Sequence, residues 1–211
     1  MFLSRPRAAV LGAALVTLAL TACAPPGQPG DPGVAATYEG AEVTNVQIDA
    51  IQQAWLDDTK GQDVANRRQV LTIELLRDDL LAECEELGYP VPMSTAETYA
   101  DQWIQFKGQS GEASDELILA TQGILALYIV AFSDPTLASL TEISDKVSES
   151  VVASPRSGTY STDALVQDVQ AAMQSADDKG LGSQFSYTEF QNVAAFTVSD
   201  REWIDEGVSG S

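Results

Sequence analysis

One apolar run sets the folding problem for this chain. From Leu117 to Phe132, sixteen residues are interrupted only by Thr121, Gln122 and Gly123. The run is too short for a spanning helix and is entered through Asp115-Glu116, so it reads as a buried central helix over Asp115–Phe132 with Ser114 as its cap. A helix that is apolar on nearly every side needs other helices around it, and the flanking sequence supplies them.

Thr44-Asn45-Val46-Gln47 forms a capping box with Val43 just outside it. It predicts a helix to about Asp58, with Val46, Ile51, Ala54 and Trp55 as apolar positions, broken at Gly61. A longer helix is predicted from about Asp63 to Leu87. Its stripe is Leu76, Leu80, Leu81, Cys84 and Leu87, and Asp78, Asp79, Glu83, Glu85 and Glu86 fill the opposite face. Gly88 suits the C-terminal cap, and Pro90 and Pro92 forbid continuation. Ser94-Thr95-Ala96-Glu97 reads as a second capping box, opening a helix with Tyr99, Trp103, Ile104 and Phe106. Asp134-Pro135 starts another, carrying Leu137, Leu140, Ile143 and Val147.

Val151-Val152-Ala153 has strand character, and its best partner is Ala36-Thr37-Tyr38, so the two ends of the helical domain would be stapled by a short two-stranded pairing. The last predicted helix runs from about Thr162 to Ala176. Beyond it, Thr188 to Ala195 has helical character and Phe196-Thr197-Val198 extended character. The fold class is therefore mainly α.

The first 34 residues read as apparatus outside that domain. Arg5 and Arg7 precede an apolar run from Ala8 to Leu20, closed by Leu20-Thr21-Ala22-Cys23. This is a secretory signal peptide over residues 1–22, and its end resembles the lipobox of bacterial lipoproteins. That resemblance implies cleavage before Cys23, lipid on its thiol, and anchoring at the extracytoplasmic face of the cell membrane. An ordinary cleaved signal followed by an incidental Cys23 is the alternative. Residues 23–34 are rich in proline and glycine and form a tether. Residues 35–160 are the helical domain and 161–211 a C-terminal extension.

Composition then narrows the chemistry. The chain of 211 residues has 31 acidic residues, 11 basic ones and no histidine. Histidine-based triads and histidine-ligated metals are excluded. A net charge of -20 argues against nucleic acid. Loss of the leader removes two arginines and no acid, leaving -22. With Cys23 lipidated, Cys84 is the one remaining thiol, and its place in the leucine stripe reads as a small buried residue. The acidic pairs Asp57/Asp58, Asp78/Asp79, Glu85/Glu86 and Asp177/Asp178 diverge on a helix surface and do not make a glycosidase pair. Asp178 to Glu189 has the length of a calcium loop, but Gly180 and Gly182 stand where two side-chain ligands belong and Ser183 where glycine is needed. No phosphate loop or Gly-x-Ser-x-Gly motif occurs.

Two segments carry a resemblance. Ala35 to Thr44, followed at once by an amphipathic helix, resembles the opening of SurA-type N-terminal domains, which begin with a strand, an Asn-Gly turn, an aliphatic residue and a threonine cap. Gly40, Val43 and Thr44 match, and Glu39 stands where asparagine is usual. Val151 to Gly158 is similar to the strand and Asn-Pro-Arg-Tyr-Gly segment that closes such domains: Pro155, Arg156 and Gly158 match, and Ser154 and Ser157 depart. The resemblance implies a chaperone-like module that holds non-native exported polypeptide, without the parvulin domain that isomerises prolyl bonds in full-length foldases.

The sequence therefore predicts a membrane-anchored, non-enzymatic holder of unfolded or exported polypeptides, with no cofactor and no metal. The alternative is a scaffold lipoprotein that binds one folded partner. Trp55, Trp103 and Phe106 are the candidate client-binding residues, although Trp103 and Phe106 also lie on the apolar side of their helix. Of the three tryptophans, one is expected to be exposed.

Overall fold

A computed structural model describes residues 33–62, 64–179 and 186–197. Cys23, the leader, most of the Pro/Gly segment and Trp203 lie outside the described residues. The chain enters through an antiparallel hairpin, β1 (Val34–Tyr38) and β2 (Ala41–Thr44), with Thr37 opposite Glu42 and Tyr38 opposite Ala41. The connecting Glu39 and Gly40 both have positive φ, 49° and 84°. That left-handed pair is the geometry of a type I′ hairpin turn, and it explains why asparagine, which tolerates the left-handed region, suits the first position better than glutamate.

Thr44 ends β2 and caps α1 (Asn45–Thr59) with both halves of the predicted box formed: its hydroxyl accepts from the Gln47 N–H at 3.2 Å, and its own N–H donates to Gln47 Oε1 at 2.8 Å. Val46 is 75% exposed and points away from the core; Ile48, two positions on, is buried instead. α2 (Arg67–Glu86) starts later than predicted. Asn66 supplies a capping box of its own, its Oδ1 accepting from the Arg68 and Gln69 N–H groups at 3.0 and 3.1 Å while Gln69 Oε1 accepts from the Asn66 N–H at 2.7 Å. At its other end Gly88 is left-handed (φ 81°), and Tyr89 N–H closes back on the Cys84 carbonyl at 2.8 Å, the long bond of a Schellman cap.

The second predicted capping box does not form. α3 (Met93–Phe106) begins ahead of Ser94, with Pro92 in the cap position and no side-chain cap bond. Pro92 is already extended (φ -66°, ψ 156°), and its carbonyl accepts the Thr95 and Ala96 N–H groups, so the helix nucleates before Ser94 can act.

α4 (Asp115–Ser133) is the predicted central helix. Ser114 caps it and is itself held by Asp58, whose Oδ2 accepts from the Ser114 N–H and hydroxyl at 2.9 and 2.7 Å. By length and composition this helix could cross a bilayer, so its size does not set it apart; 61% of its apolar window is buried inside the domain. It packs against α1, α2, α3 and α5 (Ala138–Ser150). Gly123 allows α2 a close approach, because a Cβ there would lie 2.5 Å from Ile73 Cγ2.

α5 starts after the predicted Asp134-Pro135, which forms a turn. The Asp134 carboxylate accepts from the Thr136 hydroxyl at 2.6 Å and the Thr136 and Ala138 N–H groups, and these bonds hold its carboxyl below the usual range. Leu137, buried and left-handed (φ 57°), then caps the helix.

β3 (Val152–Ala153) returns to β1 antiparallel, Thr37 opposite Val152 and Ala36 opposite Ala153, so the predicted stapling of the two ends is present within a three-stranded sheet. The following turn is fixed by Ser154 and Ser157: the Ser157 hydroxyl and the Ser154 N–H both donate to the Ala35 carbonyl at 2.8 Å. A second ladder, absent from the sequence reading, pairs β4 (Thr159–Tyr160) with β5 (Phe196–Thr197). Gly158 precedes it with φ 94°, and a Cβ there would stand 2.2 Å from the Thr197 carbonyl oxygen. Between these strands lie α6 (Thr162–Asp178) and a 3₁₀ helix, Ser186–Asn192.

The segment after residue 160 shares the one core. Leu165, Val169, Tyr187, Phe190 and Val193 are buried with Leu76, Leu117 and Leu127. Polar staples tie it to α2: Thr72 Oγ1 accepts the Ala195 N–H at 2.8 Å and Gln69 Nε2 donates to the Asn192 carbonyl at 2.9 Å.

Two glycine substitutions separate backbone conformation from close approach. Gly88→Ala meets nothing within 4 Å and should cost only the left-handed penalty, about 1–2 kcal/mol. Gly158→Ala adds a clash with backbone and should cost roughly 1–3 kcal/mol more. Equal losses in urea unfolding would remove the close-approach account. At the hairpin, Glu39→Asn should stabilise by about 0.5–1 kcal/mol, read as a higher urea midpoint at unchanged slope.

Candidate functional site

The three candidate client-binding residues do not form one surface. Trp55, from α1, and Trp103, from α3, are about 1% and 0% exposed. Their rings meet edge to face, centroids 5.3 Å apart at 86°, and Tyr187 abuts Trp103 at 6.3 Å and 83°. Tyr99 continues the series against Tyr187 at 5.3 Å and 90°. Each contact sets the positive edge of one ring against the negative face of the next. The Tyr187 hydroxyl then donates to the Tyr99 carbonyl at 3.0 Å, which locks the 3₁₀ helix over α3. The two tryptophans thus line no cradle: they are core, as the apolar side of their helices allows, and the third, Trp203, lies outside the described residues.

Phe106 departs from the sequence reading in the other direction. It sits in the last turn of α3, where the helix leaves the core, and is 60% exposed, with Lys107 Nζ 6.0 Å from its ring centroid. Cys23, the lipidation candidate, lies outside the described residues.

Cys84 is fully buried in α2, its thiol donating to the Ala126 carbonyl at 3.6 Å. Burial, with the charge of Glu83 beside it, pushes its pKa up to about 11. A thiol so placed is packed as a small apolar group and is a poor nucleophile near neutral pH.

Several acids are engaged in structure. Beyond Asp58 at the α4 cap, Asp101 accepts the Ala113 N–H at 2.8 Å, Asp168 accepts the Ala194 N–H at 3.0 Å, and Asp79 accepts the Tyr38 hydroxyl at 2.8 Å. Burial raises the Glu74 carboxyl, against the pull of Arg77, whose Nη1 donates to it at 2.7 Å. The last position of the calcium-loop candidate is occupied otherwise: the carboxylate of Glu189 takes both 2.7 Å bonds of Lys179 Nζ and one from Ser175. Burial alone would raise Glu189, but these bonds hold it below the usual range. Among the described residues no three His, Cys, Asp or Glu side chains gather as a metal site. A shallow crease between α1, α2, α4 and the 3₁₀ helix, lined by Trp55, Gln69, Ile73, Glu74 and Gln191, has no room for a water molecule.

What the sequence reading missed is on the outside. Leu87, Tyr89 and Met93 are 37%, 62% and 45% exposed at the corner where α2 gives way to α3. Gly88, Pro90 and Pro92 signal a helix stop there, and the same short run holds three large apolar side chains, a combination that could have marked the corner as a surface feature. Compared with protein-family models, with curated proteins and with solved structures, the chain matches none.

Proposed function

We propose that this protein is a lipoprotein anchored at the extracytoplasmic face of the membrane, binding polypeptide through its exposed apolar side chains and catalysing no reaction. The observation that carries the reading is the division of its aromatic residues. Trp55, Trp103 and Tyr187 are closed into the core, whereas Tyr89 and Phe106 are 62% and 60% exposed on a strongly acidic chain. Tyr89 is grouped with exposed Leu87 and Met93 at the turn between α2 and α3, and apolar groups gathered at a surface point to protein contact. The filled interior favours capture of one defined partner on that surface, the scaffold reading.

The holder reading, in which non-native exported polypeptides are the clients, is supported by the resemblance of residues 35–44 and 151–158 to SurA-type N-terminal domains. The two readings differ in promiscuity. Purified full chain in mild detergent should fail to suppress aggregation of several unrelated unfolded proteins if it serves one partner. Protection of all of them at comparable stoichiometry would overturn the scaffold reading in favour of the holder. The anchor is tested separately: Cys23→Ser should move the protein from the membrane fraction to the soluble extracytoplasmic fraction. Retention in the membrane would sink the lipid-anchor reading.

A further inference from the structure

The α2–α3 corner is a rigid apolar knuckle in an acidic setting. Rigidity comes from both sides of the loop. Tyr89 N–H closes on the Cys84 carbonyl at 2.8 Å, Gly88 N–H on that of Glu85 at 3.1 Å, and Pro90 and Pro92 restrict the backbone further. Between the prolines, Val91 is buried (5% exposed), and its carbonyl accepts from Gln122 Nε2 of α4 at 2.8 Å. Anchoring Val91 turns its neighbours outward, so Leu87, Tyr89 and Met93 are displayed on a preorganised support. A Schellman cap usually tucks its closing apolar residue against the helix; here that residue, Tyr89, is 62% exposed.

The stretch of chain that builds the knuckle, between Arg77 and Lys107, carries charge of one sign. From Asp78 to Phe106 there are seven acidic residues and no lysine or arginine. Glu83 lies one helical turn before Leu87 and Glu97 one turn after Met93, on the faces that lead into the knuckle, and Glu86 adjoins it. An apolar centre with an acidic rim is complementary to a segment that is apolar in the middle and basic at its edges. It is not complementary to an anionic bilayer surface, which would repel the rim.

We propose that Leu87, Tyr89 and Met93, rimmed by Glu83, Glu86 and Glu97, form the docking surface for a cationic amphipathic polypeptide segment. This rests on the polypeptide-binding reading above and assigns its location and the chemistry of its partner. Binding buries Tyr89 and Met93 against apolar side chains, and the glutamates set orientation and association rate.

The test measures fluorescence anisotropy of a labelled Leu/Lys amphipathic peptide with the full chain in mild detergent, beside Ser/Lys and Leu/Glu peptides of the same length. The Leu/Lys peptide should bind tightest. Tyr89→Ser with Met93→Ser should weaken it about tenfold at unchanged helical circular dichroism. Glu83→Gln, Glu86→Gln and Glu97→Gln together, none of them in the core, should weaken it at low salt and flatten its salt dependence. Wild-type affinity in both variants would remove the knuckle while leaving polypeptide binding intact. Equal binding of the Leu/Glu peptide would overturn the assignment of a basic partner. No binding of any peptide, with Tyr89-dependent binding to phosphatidylcholine vesicles instead, would overturn both this surface and the reading it rests on.

Discussion

Enclosure of α4 is the constraint on which the remaining elements depend. Leu117, Ile124, Leu127 and Val130 are at most 1% exposed, and full burial of such side chains stabilises by roughly 1.5–3 kcal/mol each. That gain requires neighbours on every side, so α1, α2, α3, α5 and the 3₁₀ helix all lie against it. Gly123 sets the approach of α2: without a Cβ, α4 can receive Ile73 directly. The two-stranded ladder of β4 and β5 and the β1–β2 hairpin then hold the outer elements in positions that α4 has determined.

A chain with 31 acids and 11 bases cannot neutralise its carboxylates by ion pairing, and here many serve as acceptors for backbone and hydroxyl donors. Asp58 holds the start of α4, Asp134 organises the α5 turn, Asp101 and Asp168 satisfy loop N–H groups, and Asp79 takes the Tyr38 hydroxyl. Asp134, which accepts from the Thr136 hydroxyl and the Thr136 and Ala138 N–H groups, is stabilised as the anion by those bonds. For Asp134, whose pKa is lowered, the stabilisation is present above the unfolded carboxyl pKa and is lost as the pH falls through the folded one. Acidity is therefore partly an architectural resource, and other carboxylates, Glu85 and Glu86 among them, stay exposed at the end of α2.

The local signals in the sequence were legible where they had no competitor. Thr44 and Gln47 form their box because β2 ends at Thr44 in the extended conformation that a cap needs. Ser94 and Glu97 carry the same signature and fail, because Pro92 already supplies an extended residue and an accepting carbonyl two positions earlier. The pairing of Ala36-Thr37 with Val152-Ala153 was legible from strand character at both ends of a helical stretch. The β4–β5 ladder was not, since two-residue strands carry no periodicity and Thr72 reaches the Ala195 N–H across 123 positions. For the candidate site, helical spacing put Trp103 and Phe106 on one side of α3, yet only Trp103 is enclosed. Phe106 lies where the helix runs past the core, and periodicity does not report where a core ends.

For the polypeptide binding proposed above, magnitude decides between opening the core and using the surface. Exposing Trp55 and Trp103 to a client forfeits roughly 1.5–3 kcal/mol of burial for each ring. Separating their edge-to-face contacts costs about 0.5–1.5 kcal/mol more per pair. A binding-competent state about 5 kcal/mol above the closed one weakens affinity by roughly three to four orders of magnitude. Parting α3 from the 3₁₀ helix would also break the Tyr187 bond to the Tyr99 carbonyl. The α2–α3 corner carries no such cost, because Tyr89 and Met93 are already outside and their backbone is fixed by Val91 and Gln122. Of two routes to apolar contact, the preorganised surface therefore dominates, and the residues that look most like a binding cradle in sequence are the ones the fold can least release.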